Sequence, residues 1–118
     1  MKTVNLIVRQ TEIGKVFPSG FQLEVDDWAS ILDVIRVADV KIKERCGKFP
    51  AREFTSLLQM VYHPHEDRFY RQVAVQAHAT QNQFLNIREN PKMPLPDETT
   101  IILIPEGGCS SDWEEPVK

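Results

Sequence analysis

A few side chains in this 118-residue sequence could support chemistry by type and spacing. His63, His65 and Glu66 put two imidazoles and a carboxylate within one short stretch. A metal centre needs three or four donors at fixed geometry, with further hydrogen bonds to orient them. Three donors crowded after an apolar segment read instead as a polar loop, so no metal site is expected. His78, at the end of an apolar alternation, reads as an exposed side chain rather than a base. No serine or cysteine has an identifiable histidine partner, so nucleophilic catalysis has no support. Cys46 ends an apolar stripe and reads as a small core residue. Cys109 lies in a polar tail and reads as an ordinary accessible thiol. An iron–sulfur cluster takes about four thiolates, and the chain has only two cysteines. Trp113, alone in an acidic tail, is too little to define a partner site. The sequence therefore predicts no enzyme, no catalytic residues and no cofactor. The remaining chemical feature is Gly107-Gly108, just beyond the last apolar run.

Composition sets the frame for that feature. The length suits one domain, which buries roughly two-thirds of its unfolded surface. The chain is 42% hydrophobic and 26% charged, as in globular proteins, and its net charge of −3 argues against a nucleic-acid partner. There is no run of eighteen apolar residues and no signal-peptide h-region at Met1, so no membrane association and a cytoplasmic location are expected.

The elements that would position the diglycine follow from periodicity. Val4, Leu6 and Val8 alternate with polar residues and predict a strand; Phe21, Leu23 and Val25 predict a second. With Gly14 and Pro18-Ser19-Gly20 as a loose turn, the two form an antiparallel hairpin. Asp26 or Asp27 can cap a helix from Asp27 to Cys46. Trp28, Ile31, Leu32, Ile35, Ala38, Ile42 and Cys46 form its core stripe, and Gly47 stops it. A second row, Val34, Val37 and Val40, predicts a cover on the back of this helix. Pro50 to Tyr62, with Phe54, Leu57, Leu58 and Val61 at helical spacing, is the expected cover. Phe69 to His78 predicts a third strand, and Phe84, Leu85 and Ile87 a short one. Leu95-Pro96-Asp97 reads as a turn, with the aspartate bonding its own local backbone. Thr99 to Ile104 predicts a final strand, apolar on both faces and therefore central, which Pro105 ends.

Hairpin, helix, strand, short strand and a final strand parallel to the first make an α+β, β-grasp layout. Together with Leu95-Pro96-Asp97-Glu98, Pro105 and Gly107-Gly108, this order resembles the ubiquitin-like sulfur carriers of thiamine and molybdenum-cofactor biosynthesis. The resemblance covers Met1 to Cys46 and Phe69 to Gly108. It implies a mixed four- or five-stranded sheet over one main helix, in a domain spanning 1–108. It also implies that the carboxylate of Gly108 is adenylated by a partner enzyme, then converted to a thiocarboxylate or transferred to a lysine or thiol. An adenylating enzyme, a processing protease and a sulfur-accepting enzyme are the implied partners. Glycines suit that role because the tail must thread a narrow channel, and residues without Cβ allow close backbone approach. Ile101, Leu103 and Pro105 are the expected partner contacts.

The chain departs from the family pattern twice. Residues 47–68 form an insertion holding the second helix. A flexible extension, 109–118, follows the diglycine, so a carboxylate at Gly108 requires cleavage of the Gly108–Cys109 bond. A non-covalent interaction module that never performs carrier chemistry is the competing expectation.

Overall fold

The computed structural model describes residues 1–9, 11–50, 54–80, 83–105, 114, 115 and 117. Alternation of Val4, Leu6 and Val8 inward against Thr3, Asn5 and Ile7 outward makes β1, Lys2–Val8. It pairs antiparallel with β2, Phe21–Val25, with Leu6 opposite Phe21. The connection contains a feature absent from the sequence reading: a five-residue helix α1, Glu12–Val16, whose Ile13 is buried. The chain then turns at Gly20, where φ is +76° and a Cβ would strike the Leu6 carbonyl oxygen. Only glycine fits there without strain.

The main helix α2 is Ile31–Cys46, four residues shorter at its start than expected. Its cap is Ser30, and neither Asp26 nor Asp27 fills that role. The Asp33 carboxylate accepts from the Ser30 backbone N–H at 3.0 Å and the Ser30 side chain faces back toward the first turn, a reciprocal capping box. Asp26 instead closes a turn, its carbonyl accepting from Ala29 N–H at 3.0 Å. That turn throws Trp28 outward, 83% exposed, so it does not belong to the core stripe. Ile31, Leu32, Ile35, Ala38 and Ile42 do, and Cys46 at the end is half-buried. Gly47 ends the helix at φ +75°, its N–H donating to Lys43 O at 2.8 Å.

β6, Thr99–Ile104, lies parallel to β1 and antiparallel to β5, Ala74–His78, which completes a four-stranded mixed sheet in the order β2-β1-β6-β5. The parallel neighbours β1 and β6 are therefore the central pair. Phe84 makes only an isolated bridge to His78, so no fifth strand forms there among the described residues.

Between α2 and β5 the chain forms an annex. The expected helix from Pro50 to Tyr62 contracts to α3, Leu57–Val61, with Ser56 as its cap. The expected third strand from Phe69 is also divided. Tyr62–His63 (β3) and Arg68–Phe69 (β4) pair with each other as a separate ribbon, and the main-sheet strand begins only at Ala74. The break is a turn in which Val73 N–H donates to Tyr70 O at 3.1 Å. The Arg88 guanidinium donates to the carbonyls of Tyr70 and Val73, which a continuous strand would have paired in the sheet.

Candidate functional site

Two regions carry the expected and the observed chemistry: the start and end of β6, and the annex with the C-terminal extension.

At the start of β6 the Leu95–Glu98 turn is stitched to the start of β1. The Asp97 carboxylate accepts from Thr3 N–H at 2.8 Å rather than from its own local backbone, and Glu98 N–H donates to Thr3 O at 2.8 Å. Glu98 takes the left-handed conformation at φ 60° to make this turn. Lys2, 5% exposed, donates to the carbonyl oxygens of Asp27 at 2.7 Å, Ala29 at 3.0 Å and Leu95. Burial holds its ammonium below the usual lysine range, against the pull of Asp27, Asp97 and Asp33. This network ties two loops to the start of β1 and places Thr99 opposite Val4, which sets the register of the central pair.

Of the expected partner contacts, Ile101 and Leu103 have no exposure and Pro105 is buried. Strand alternation turns Ile101 and Leu103 into the core, and the half-buried Thr100, Ile102 and Ile104 form the opposite face. Ile101 and Leu103 are therefore core residues, and a partner meeting this strand would touch the other face. Gly107, Gly108, the Gly108–Cys109 junction and Trp113 lie outside the described residues.

His63 ends β3, and His65 and Glu66 lie in the turn that joins it to β4. His63 Nδ1 accepts from the backbone N–H groups of His65 at 3.2 Å and Glu66 at 3.1 Å. Its Nε2 lies 3.3 Å from the Glu66 carboxylate, which places the ring proton there. Both nitrogens are thus occupied. No group of three or more histidine, cysteine or acidic side chains suited to a metal occurs among the described residues. His78 is half-buried rather than exposed and packs against Phe84, ring centroids 4.4 Å apart and planes inclined at 53°.

The annex is attached to α2 by Asp39. Its carboxylate accepts from Leu57 N–H at 2.7 Å and Leu58 N–H at 3.3 Å, satisfying free donors at the start of α3. Burial raises its pKa despite those two donors. The expected valine row is covered unevenly. Val34 is buried, Val37 lies beside Glu24 and Val25 of β2, and Val40 is 55% exposed.

The extension, expected to be flexible throughout, is held at Glu114 and Val117. The Glu114 carboxylate meets the Arg68 guanidinium end-on, accepting from Nη1 and Nη2, both N···O distances being 2.7 Å. It also accepts from Arg71 backbone N–H at 2.8 Å, with the Arg71 side chain 3.9 Å away. The Gln72 side-chain amide pairs with the Glu114 main chain in both directions at 3.0 Å. Val117 N–H donates to the Tyr70 hydroxyl at 2.7 Å. Gln72 is 2% exposed and Tyr70 is fully buried. Arg68 pulls the Glu114 carboxyl down to about 2, helped by the Arg71 N–H. Beside Val117 opens a cleft of about 530 Å³, bordered by Leu32, Arg36, Leu58, Tyr62 and Lys92.

Sequence reading passed over Arg68, Tyr70, Arg71, Gln72 and Glu114. These residues are joined across separations of 42 to 47 positions, and no local period marks them. No family model, curated protein or solved structure compared with this chain matches it.

Proposed function

We propose that the chain is a ubiquitin-like β-grasp protein: a sulfur-carrier or protein-modifier precursor activated at Gly108 once the extension is removed. The observation that supports this most is the parallel pairing of β1 with β6 at the sheet centre, with α2 packed on one face. In this reading the diglycine begins three residues beyond Ile104, where a backbone leaving the central strand is free to enter a partner. Cleavage after Gly108 creates the carboxylate. The carboxylate attacks the α-phosphate of ATP on the activating enzyme and releases pyrophosphate. A sulfur donor, lysine or thiol then displaces AMP from the acyl carbon.

The chain ending at Gly108 is expected to support ATP–pyrophosphate exchange with a cognate activating enzyme, while the full-length chain does not. Replacing Gly108 with a bulky residue should abolish exchange without unfolding the protein. If none of these forms is active with any activating enzyme of the source organism, the carrier reading is wrong.

The anchoring of Glu114 favours a second reading, a non-covalent interaction module that keeps its extension. The intact mass of the native protein separates the two. A chain ending at Gly108 supports the carrier, and a chain retaining residues 109–118 supports the module.

A further inference from the structure

The polar surface formed by Arg68, Tyr70, Arg71 and Gln72 does more than hold one carboxylate. Arg68 presents a guanidinium fork, which matches the two carboxylate oxygens. Arg71 adds a backbone N–H to one of those oxygens. Gln72 donates to a main-chain carbonyl and accepts from a main-chain N–H, as a neighbouring strand would. Tyr70 accepts from a second main-chain N–H three residues further on. The set reads a glutamate, the backbone on which it sits and a second backbone position. It does not depend on the other side chains of that segment.

Two features distinguish this from an ordinary surface ion pair. Gln72 is almost wholly buried, and its amide hydrogen bonds among the described residues go to Glu114. Removing the segment would leave the amide without those partners, and a buried polar group without a partner is costly. The cleft of about 530 Å³ also borders Val117. Its border includes the apolar Leu32, Leu58 and Tyr62, the cation Arg36 and the ion pair of Lys92 with Asp67 at 2.9 Å.

We infer that the Arg68–Gln72 segment is a recognition site for an acidic peptide, read through one glutamate with its own backbone and through the backbone N–H three residues further on. In the free chain that site is filled by the chain's own Glu114 and Val117. Tethering explains why the internal segment prevails, since a ligand on a short linker has a millimolar effective concentration. A partner's acidic segment gains the site when the extension is displaced or cut away. The inference does not depend on diglycine activation. If the extension is cleaved after Gly108, however, the same cut also opens this site.

The test uses the full-length protein and a fluorescein-labelled peptide of residues 109–118, followed by fluorescence anisotropy. Glu114→Lys places a cation against Arg68 and Arg71 and should expel the internal segment. This variant should bind the peptide at least tenfold more tightly than the wild type, and added salt should weaken the binding. A peptide with glutamine at the position of Glu114 should lose binding. Adding Arg68→Lys to the Glu114→Lys protein keeps a cation but removes the fork, and should also lose it. Circular dichroism confirms that each variant is folded. Absence of binding by folded Glu114→Lys protein would overturn the inference. So would equal binding by the wild type, or binding indifferent to Arg68→Lys.

Discussion

On one side of α2, Ile31, Ile35, Ala38 and Ile42 have no exposure and pack over β1 and β2. On the other side, α3 is attached through the Asp39 carboxylate, and the extension through Arg68, Tyr70, Arg71 and Gln72. The first region is held by burial of repeated apolar side chains. The second also has buried apolar residues, including Leu57, Val61, Phe69 and Tyr70, but polar side chains reaching backbone groups fix its geometry. Apolar burial is additive and tolerant, while each polar attachment depends on one group. The sheet body should therefore lose stability globally when damaged, and the annex should open locally.

The largest effect is expected in the body. Leu103→Ala removes a fully buried side chain from the central strand and should cost about 2–5 kcal/mol by denaturant unfolding. The same experiment checks the placement of Leu103. A partner-contact residue on an exposed face would lose little stability, so a cost below about 1 kcal/mol would contradict its burial.

Asp39→Ala should come next, at about 1–3 kcal/mol, because the Leu57 and Leu58 N–H groups lose their acceptor. Its signature should be local: faster amide exchange at 57–63, with β1 and β6 still protected. Asp39→Asn keeps one acceptor oxygen without a buried charge and should cost less. Uniform loss of protection across sheet and annex would abolish the distinction between the two regions.

These differences also explain what could be read from sequence. The alternation in β1, the apolar run of β6 and the stripe of α2 are periodic signals, and each became the expected element. The cap of α2 was equally legible. Ser30 followed three positions on by the acidic Asp33 is a capping-box spacing, but Asp26 and Asp27 are equally good caps by residue type. Trp28 follows from the earlier cap, because starting the helix at Asp27 puts it in the stripe. α1 has five residues and one buried side chain, too few for a period. β3 and β4 have two residues each, and their pairing has no pattern to display. Arg68 and Glu114 are two charged residues among many until the fold brings them together.

The extension gives a smaller effect with a definite sign. The Glu114 carboxyl has a pKa of about 2 in the folded protein against 4.5 for an ordinary glutamate. A depressed carboxyl stabilises the state that depresses it at pH above the unfolded value. The attachment should therefore be fully present above about 4.5 and be lost as pH falls toward about 2. The backbone N–H resonance of Arg71, which donates to this carboxylate, should titrate near the lower value in NMR spectra. A midpoint near the ordinary glutamate value would mean that the extension is not held at Glu114.

The smallest effect is expected on α2 itself, between the two regions. Val34, Val37 and Val40 lie along one row, but they meet different surroundings. Val34 has no exposure, while Val40 is 55% exposed. Aspartate at position 40 would bury no charge. Its helix propensity is close to that of valine, so the backbone gains or loses little. Arg36 one turn before and Lys43 one turn on would attract the new carboxylate and Glu44 would repel it, leaving a net pair energy of a few tenths of a kcal/mol. Val40→Asp should therefore change stability by less than about 0.5 kcal/mol, while Val34→Asp, which buries an unpaired charge, should cost several. Denaturant unfolding of the two variants measures how far cover extends along the back of the helix. A loss above about 1 kcal/mol for Val40→Asp would place packed atoms over that position. The annex would then rest on an apolar seam along α2, and Asp39 would be one attachment among many rather than the principal one.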